Sequence, residues 1–247
     1  MIILGIETST AQVACALGGS EGVLASFETG PGAPLPGRQR ATPRHAEVLA
    51  PGIEFICAQA RIELREVSAV AVDIGPGMFT GVRVGVATAK AMAQALRVPM
   101  VGLASLDLMA FAVRHTDRVI SAVLDARRDE VYTALYRSVP AGVQRISEPS
   151  VCSPDELAGQ LMALGEHVLA VGDGAVRYCE ELRRLGDVEV ETAHPFPSAA
   201  SLVTLAHAQA IREEFVQPWE LNPIYLRPPV SREPVSREPV SREPEAR

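Results

Sequence analysis

Between Val67 and Gln94 the chain reads VSAVAVDIGPGMFTGVRVGVATAKAMAQ, and no other stretch restricts its fold as much. Val67 to Ile74 is an apolar run rich in β-branched residues, which predicts a strand buried on both faces. Gly75-Pro76-Gly77 breaks that strand with a tight turn, and a helix of small residues is predicted from about Thr80. A strand, glycine turn and helix N-terminus in this order can hold an anion on free backbone N–H groups. Two phosphate fingerprints nevertheless fail. A P-loop needs Lys after its last glycine, and Gly81 is followed by Val82; Gly75, Gly77 and Gly81 miss the G-x-G-x-x-G spacing by one. Gly77, Gly81, Gly85, Ala89 and Ala93 instead recur every fourth residue, a slowly drifting strip that lets another backbone come close. Arg83, Lys90 and Gln94 lie along a neighbouring polar line. The strip can pack on the chain's own sheet or dock a second helix, and spacing alone favours the sheet.

The run Asp73-x-Gly-Pro-Gly-x-Phe-Thr-Gly-x-Arg-x-Gly85 resembles the signature of the TsaB (YeaZ) family, bacterial proteins needed to make threonylcarbamoyladenosine in tRNA. The resemblance continues through most of the chain.

With 247 residues, 47% hydrophobic and 21% charged, the chain can bury one large core or two smaller ones. A net charge of −7 argues against a broad nucleic-acid surface, although a local basic patch is compatible with it. Cys15, Cys57, Cys152 and Cys179 are widely spaced, as expected of reduced thiols in a cytosolic protein. MIILGIETST lacks a basic n-region and is a poor signal peptide, and no apolar run is long enough to span a bilayer. A cytoplasmic location and no membrane partner are therefore expected.

Ile2–Ile6 and Val13–Leu17 read as strands around the polar turn Glu7-Thr8-Ser9-Thr10. Actin-like ATPases and sugar kinases begin this way, which makes Glu7, Thr8 and Ser9 candidates for nucleotide or phosphate contact; an ordinary hairpin turn is the plainer alternative. Val23–Glu28 can form a third strand, and Gly30–Arg44, with Arg38, Arg40 and Arg44, reads as an exposed basic loop. Thr42-Pro43 then starts a helix, and Pro51 is expected to kink it or displace its first turn. Arg44-His45-Ala46-Glu47-x-Leu49 resembles the family's first-helix motif.

Arg97 to Gly102 reads as a short strand, followed by Ser105-Leu-Asp-Leu-Met109. By resemblance, the larger paralogous subunit carries H-x-E-G-H here, with two metal-binding histidines, so Ser105 and Met109 would stand in their places. Hydroxyl and thioether are poor substitutes for imidazoles, and no metal site is expected. Ile120–Leu124 and Val131–Tyr136 restart the opening pattern around Asp125-Ala-Arg-Arg-Asp-Glu130, which suggests a duplicated ribonuclease-H-like unit. Two bulky arginines and no glycine spoil that turn for close phosphate approach, although the side chains could hold an anion. Ser153-Pro-Asp-Glu starts another helix, His167–Val171 is a strand, and Gly172-Asp-Gly174 opens a helix to about Leu185. That glycine pair could approach an adenosine or serve as a plain turn. Ser198–Glu214 is a further helix, Leu221–Pro229 resembles the family's P-x-Y-x-R ending, and three Val-Ser-Arg-Glu-Pro repeats from Val230 read as disordered.

The fold expected is α/β, an actin-like ATPase (ASKHA) fold of two ribonuclease-H-like domains with the second reduced. Residues 1–106 would form the first, 107–229 the second and 230–247 a tail, with helix 198–214 packing back on the first. The resemblance implies a non-catalytic subunit required to add threonylcarbamoyl to adenosine 37 of tRNAs reading codons that begin with A. It would dimerise with and activate the larger catalytic, TsaD-type paralogue through the 42–59 and 80–94 helices. His45, Leu49, Phe79, Thr80, Gly81, Arg83, Val84, Gly85, Ala87 and Lys90 would form that face. A small TsaE-type ATPase would join the complex, ATP or ADP can bind near the subunit junction, tRNA would bind mainly through the complex, and the chain alone would form a homodimer. No catalytic residue or intrinsic cofactor is implied. A stand-alone ATPase or kinase is the alternative, and a peptidase a further one.

Overall fold

A computed structural model describes residues 1–30 and 45–227. The basic loop with Arg38, Arg40 and Arg44, the Thr42-Pro43 helix start and the repeat tail lie outside the described residues.

The first half consists of β1 (Ile2–Glu7), β2 (Val13–Gly19), β3 (Gly22–Thr29), α1 (His45–Ala60), β4 (Ala69–Asp73), α2 (Phe79–Leu96) and β5 (Met100–Leu103). Its sheet runs β3-β2-β1-β4-β5. Short turns make β1, β2 and β3 antiparallel, whereas β4 and β5 join in parallel through the crossover helices α1 and α2. On one face, Leu49, Ile53 and Ile56 of α1 and Val82, Val86 and Ala89 of α2 pack on Leu4, Ile6, Val70 and Val72. On the other lies α7 (Ala199–Ile211), whose Leu202, Val203 and Ala206 meet Ile3, Ala14, Ala16, Ala69 and Ala71. Cover on both faces explains why β1 and β4 read as continuous apolar runs. The approach of α7 needs Gly5, since a Cβ there would lie 2.7 Å from Val203 Cγ1.

The second half repeats the plan. β6 (Val119–Arg127), β7 (Glu130–Val139) and β8 (Gly142–Arg145) form an antiparallel meander, with β9 (Ser150–Cys152) also on β7. After α4 (Pro154–Leu164), β10 (Val168–Val171) joins β6 in parallel; after α5 (Asp173–Arg177) and α6 (Cys179–Leu185), β11 (Val188–Glu191) joins β10. The resulting order, β11-β10-β6-β7-β8, is that of the first sheet with β6 in the place of β1. Two such halves make the actin-like architecture. Between them, α3 (Ser105–Ala112) gives Leu108 to the first core and Leu106, Met109 and Ala110 to the second.

Local signals place most ends. Ser153 and Glu156 form a reciprocal capping box at the start of α4, and Ser198 Oγ accepts from Ala200 N at 3.1 Å at the start of α7. Two helices differ from expectation. α1 continues through Pro51, which lies inside the helix on its exposed side. The helix expected to run to Leu185 is broken at Tyr178 (φ −111°, ψ 31°), whose ring enters the second core.

The C-terminal segment spans both halves. Leu221 enters the first core, Ile224 N donates to Ile74 O at 2.8 Å, and Arg227 pairs with Glu130 and donates to Ala126 O at 3.3 Å. Because Leu202 is fully buried between α7 and the first sheet, Leu202→Ala should cost about 3 kcal/mol in urea denaturation. Exposed Ile211, changed to Ala, should shift stability by less than about 0.5 kcal/mol.

Candidate functional site

The C-terminal ends of β1 and β4 bring Glu7 and Asp73 together, both essentially without solvent exposure. Each carboxyl holds its own turn. Glu7 Oε1 accepts from Ser9 N and Ser9 Oγ, both at 2.6 Å. Asp73 Oδ1 accepts from Gly75 N at 2.7 Å and from Ser105 Oγ at 2.6 Å. The second oxygens, Glu7 Oε2 and Asp73 Oδ2, are buried and lack any other partner. Glu7 holds its proton, and that proton is the donor available to the Asp73 carboxylate. Burial first, then the Asp73 charge, raises the Glu7 pKa well above the usual carboxylate range. Burial also pushes Asp73 up, to about 6, against the hydrogen bonds from Ser105, Gly75, Ser9 and Glu7 that favour its ionised form. The pair is thus an acid on Glu7 facing a carboxylate on Asp73.

The same turn lies directly on α2. A Cβ at Gly77 would sit 2.3 Å from Ser9 O, at Gly81 2.1 Å from Thr8 O, and at Gly85 2.3 Å from Thr8 Oγ1. Thr8 Oγ1 donates to Gly81 O at 2.7 Å, and Met78 N donates to Ser9 O at 2.6 Å. His45, at the start of α1, bonds through Nε2 to Thr10 O at 2.7 Å, and burial lowers its pKa so that it stays neutral. The small-residue strip therefore closes on the chain's own β1–β2 turn.

The expected site residues take distinct places around this contact. Glu7, Thr8 and Ser9 are enclosed, with Glu7 and Thr8 bonded inward. His45, Leu49, Gly81 and Gly85 are buried within this chain, beneath the outer sides of α1 and α2. The outer side of α2 presents Phe79, Thr80, Arg83 and Ala87, with Val84 and Lys90 half-buried. Arg83 is fixed there: its Cζ lies 3.7 Å from the Phe79 ring centroid and its Nε donates to Tyr225 Oη at 3.0 Å. The first-half Ser105 holds Asp73, and Met109 is buried in the second core.

The corresponding second turn is closed by its own charges. Asp125 Oδ2 takes Arg127 Nη1 at 2.9 Å and Arg177 Nη1 at 3.2 Å. Arg127, Arg128 and Asp129 run through left-handed backbone, with φ of 64°, 57° and 57°. Gly172 and Gly174 pack on β6, where a Cβ at Gly172 would meet Val123 O at 2.1 Å, and Asp173 Oδ1 accepts from Asp125 N at 2.9 Å. The glycine pair is thus a turn packed against β6. Among the described residues, no three His, Cys, Asp or Glu side chains are grouped to hold a metal, and no helix is long and apolar enough to cross a membrane.

Comparison with known proteins gives a consistent picture. Residues 38–183 match the family described as TsaD: tRNA N6-adenosine threonylcarbamoyltransferase. An uncharacterised protein of Mycobacterium leprae is 41% identical over 157 residues, which is 63% of this chain and 40% of that protein. The tRNA threonylcarbamoyladenosine biosynthesis protein TsaB of Bacillus subtilis is 34% identical over 137 residues, 56% of each chain. The matched region thus spans about half or less of these two relatives. The structure of YeaZ from Pseudomonas aeruginosa superimposes with a TM-score of 0.76 at 26% identity, covering 91% of this chain and 99% of that one.

Two measurements probe the closed turn. Raised carboxyl pKa values mean that the folded state holds its proton more tightly than the unfolded chain. The pair's contribution is therefore complete below about pH 4 and is lost as pH rises through about 6 and beyond. Glu7→Gln keeps a donor toward Asp73 and does not titrate, so its Tm relative to wild type should rise steadily between about pH 5 and pH 8. A pH-independent difference would contradict the proton held on Glu7. Gly85→Ala should cost about 2 kcal/mol through overpacking against Thr8 Oγ1. Thr8→Ala should recover part of that loss in a double-mutant cycle read by urea denaturation.

Proposed function

This chain belongs to the TsaB (YeaZ) side of the family described as TsaD, tRNA N6-adenosine threonylcarbamoyltransferase, and we propose that it is a non-catalytic subunit in making threonylcarbamoyladenosine at position 37 of tRNA. It pairs with a larger, TsaD-type catalytic paralogue and supports that partner's active conformation. The tRNAs are those reading codons that begin with A.

The observation carrying this reading is the asymmetry of α2. Its glycine side is consumed by the Thr8–Ser9 turn, while its outer side leaves Thr80, Ala87 and Ala91 exposed around half-buried Val84. Small side chains on an unpartnered helix face let a second helix approach closely. Exposed Ala46, Ala50 and Ala58 on α1 extend the same type of surface. In this proposal the buried glycines act indirectly, by setting where α2 lies. A TsaE-type ATPase joins the pair, ATP or ADP binds at the subunit junction, and the isolated chain uses the same face to form a homodimer. The protein works in the cytoplasm. A stand-alone ATPase or kinase would require the enclosed Glu7 turn to open.

The test combines light-scattering mass with the threonylcarbamoyladenosine content of cellular tRNA. Ala87→Arg, on the exposed side, should leave circular dichroism unchanged, weaken the heterodimer about hundredfold (about 2.8 kcal/mol), and lower the modified nucleoside in cells depending on this chain. A folded variant that pairs and complements like wild type would contradict the proposal.

A further inference from the structure

Beside the small-residue face, α2 carries a second line. Arg83, Lys90 and Arg97 recur at intervals of seven residues, about 10.5 Å apart along the axis, with Arg97 ending the helix. α2 contains no Asp or Glu. Among the described residues, none of the three cations has an acidic partner. In a chain of net charge −7, three such cations along one side of a helix form a local basic track.

Aromatic rings stand at both ends of this line. At the start, Phe79 and Tyr225 flank the Arg83 guanidinium, and the two rings are 5.5 Å apart. At the end, Trp219 is 74% exposed, an unusual cost for so large a ring. It lines a cavity of about 530 Å³ together with Lys90, Gln94, Arg97, Pro99 and Pro218. Cations between exposed aromatic platforms suit a strand that carries phosphates and unstacked bases. The small, neutral residues Thr80 and Ala87 lie directly beside this line, Ala87 one turn from both Arg83 and Lys90, and carry no charge themselves.

We propose that the groove between α2 and residues 216–225 binds a single-stranded segment of RNA, with a base on the Trp219 indole and phosphates on Arg97, Lys90 and Arg83. This rests on the proposed role in tRNA modification and assigns this subunit its own contact with the RNA. The acidic remainder of the chain confines binding to the track and makes it sensitive to salt.

Trp219 is the only tryptophan, so its emission reports on the site directly. The full-length chain, without its partner, is titrated with an unstructured RNA of about 12 nucleotides at about 50 mM salt. Emission should be quenched saturably, and the anisotropy of the labelled RNA should rise with the same midpoint. A duplex of the same sequence should bind at least about tenfold more weakly. Trp219→Ala, followed by anisotropy, should weaken binding about tenfold. Arg97→Gln should weaken it and reduce the logarithmic salt slope by about 0.7, with circular dichroism confirming that both variants fold. Absence of quenching, equal binding of duplex, or an unchanged salt slope in folded Arg97→Gln would overturn the proposal. So would shielding of Trp219 from acrylamide by the larger subunit but not by RNA, which would make the groove a protein contact. RNA failing to bind a chain that still forms the heterodimer defeats this inference alone. RNA binding without heterodimer formation defeats the subunit reading instead.

Discussion

The Thr8–Ser9 turn rests directly on the glycine turn and α2, backbone against backbone at Gly77 and Gly81 and through the Thr8 hydroxyl at Gly85. The contact leaves no room for a Cβ at any of the three positions. It fixes the height and direction of α2 over the first sheet, and with it which side chains face outward. His45 extends the contact to α1 by reaching Thr10 O, so both helices of the exposed face are referenced to one hairpin turn. A larger residue on the strip would change the position of the face without touching a partner.

Beneath that contact, the two carboxyls at the ends of β1 and β4 are a compact way to join adjacent turns without solvent. An ionised pair in such a place would repel, and two neutral acids would lose the strong bonds from Ser9, Gly75 and Ser105. A proton kept on Glu7 removes the repulsion and leaves the bonds from Ser9, Gly75 and Ser105 in place. The first acidic turn is closed by the chain's own hydroxyl and helix. The second half does the same by other means, setting Arg127 and Arg177 on Asp125. Both acidic turns are thus closed from within the chain.

Much of this was legible in the sequence because periodicity and caps act locally. The strand, glycine turn and helix around Val67–Gln94 stand where the apolar run and Gly-Pro-Gly place them, as α2 and the strand before it. The restart at Ile120 gives the second sheet its repeated strand order. The spacing of Gly77, Gly81 and Gly85 identified a close approach but not its partner, since a four-residue repeat fits a neighbouring hairpin as well as a neighbouring subunit. Glu7 and Asp73 each end an apolar strand, a signal that both are buried. Their pairing depends on β1 lying parallel to β4, which is a tertiary fact. Ser105 as a partner of Asp73 and Tyr225 as a partner of Arg83 are likewise contacts over long sequence separations. The break at Tyr178 leaves no mark in the sequence because the helical pattern continues across it.

The central claim is that the outward sides of α1 and α2 form the partner face, while the turn beneath them is internal. Hydrogen–deuterium exchange of the full chain, with and without the larger TsaD-type paralogue, tests it most directly. The account predicts added protection over peptides of residues 46–59 and 79–95, and no change over residues 7–12, whose groups are already enclosed. Protection confined to the second half, with α1 and α2 exchanging as before, would contradict it.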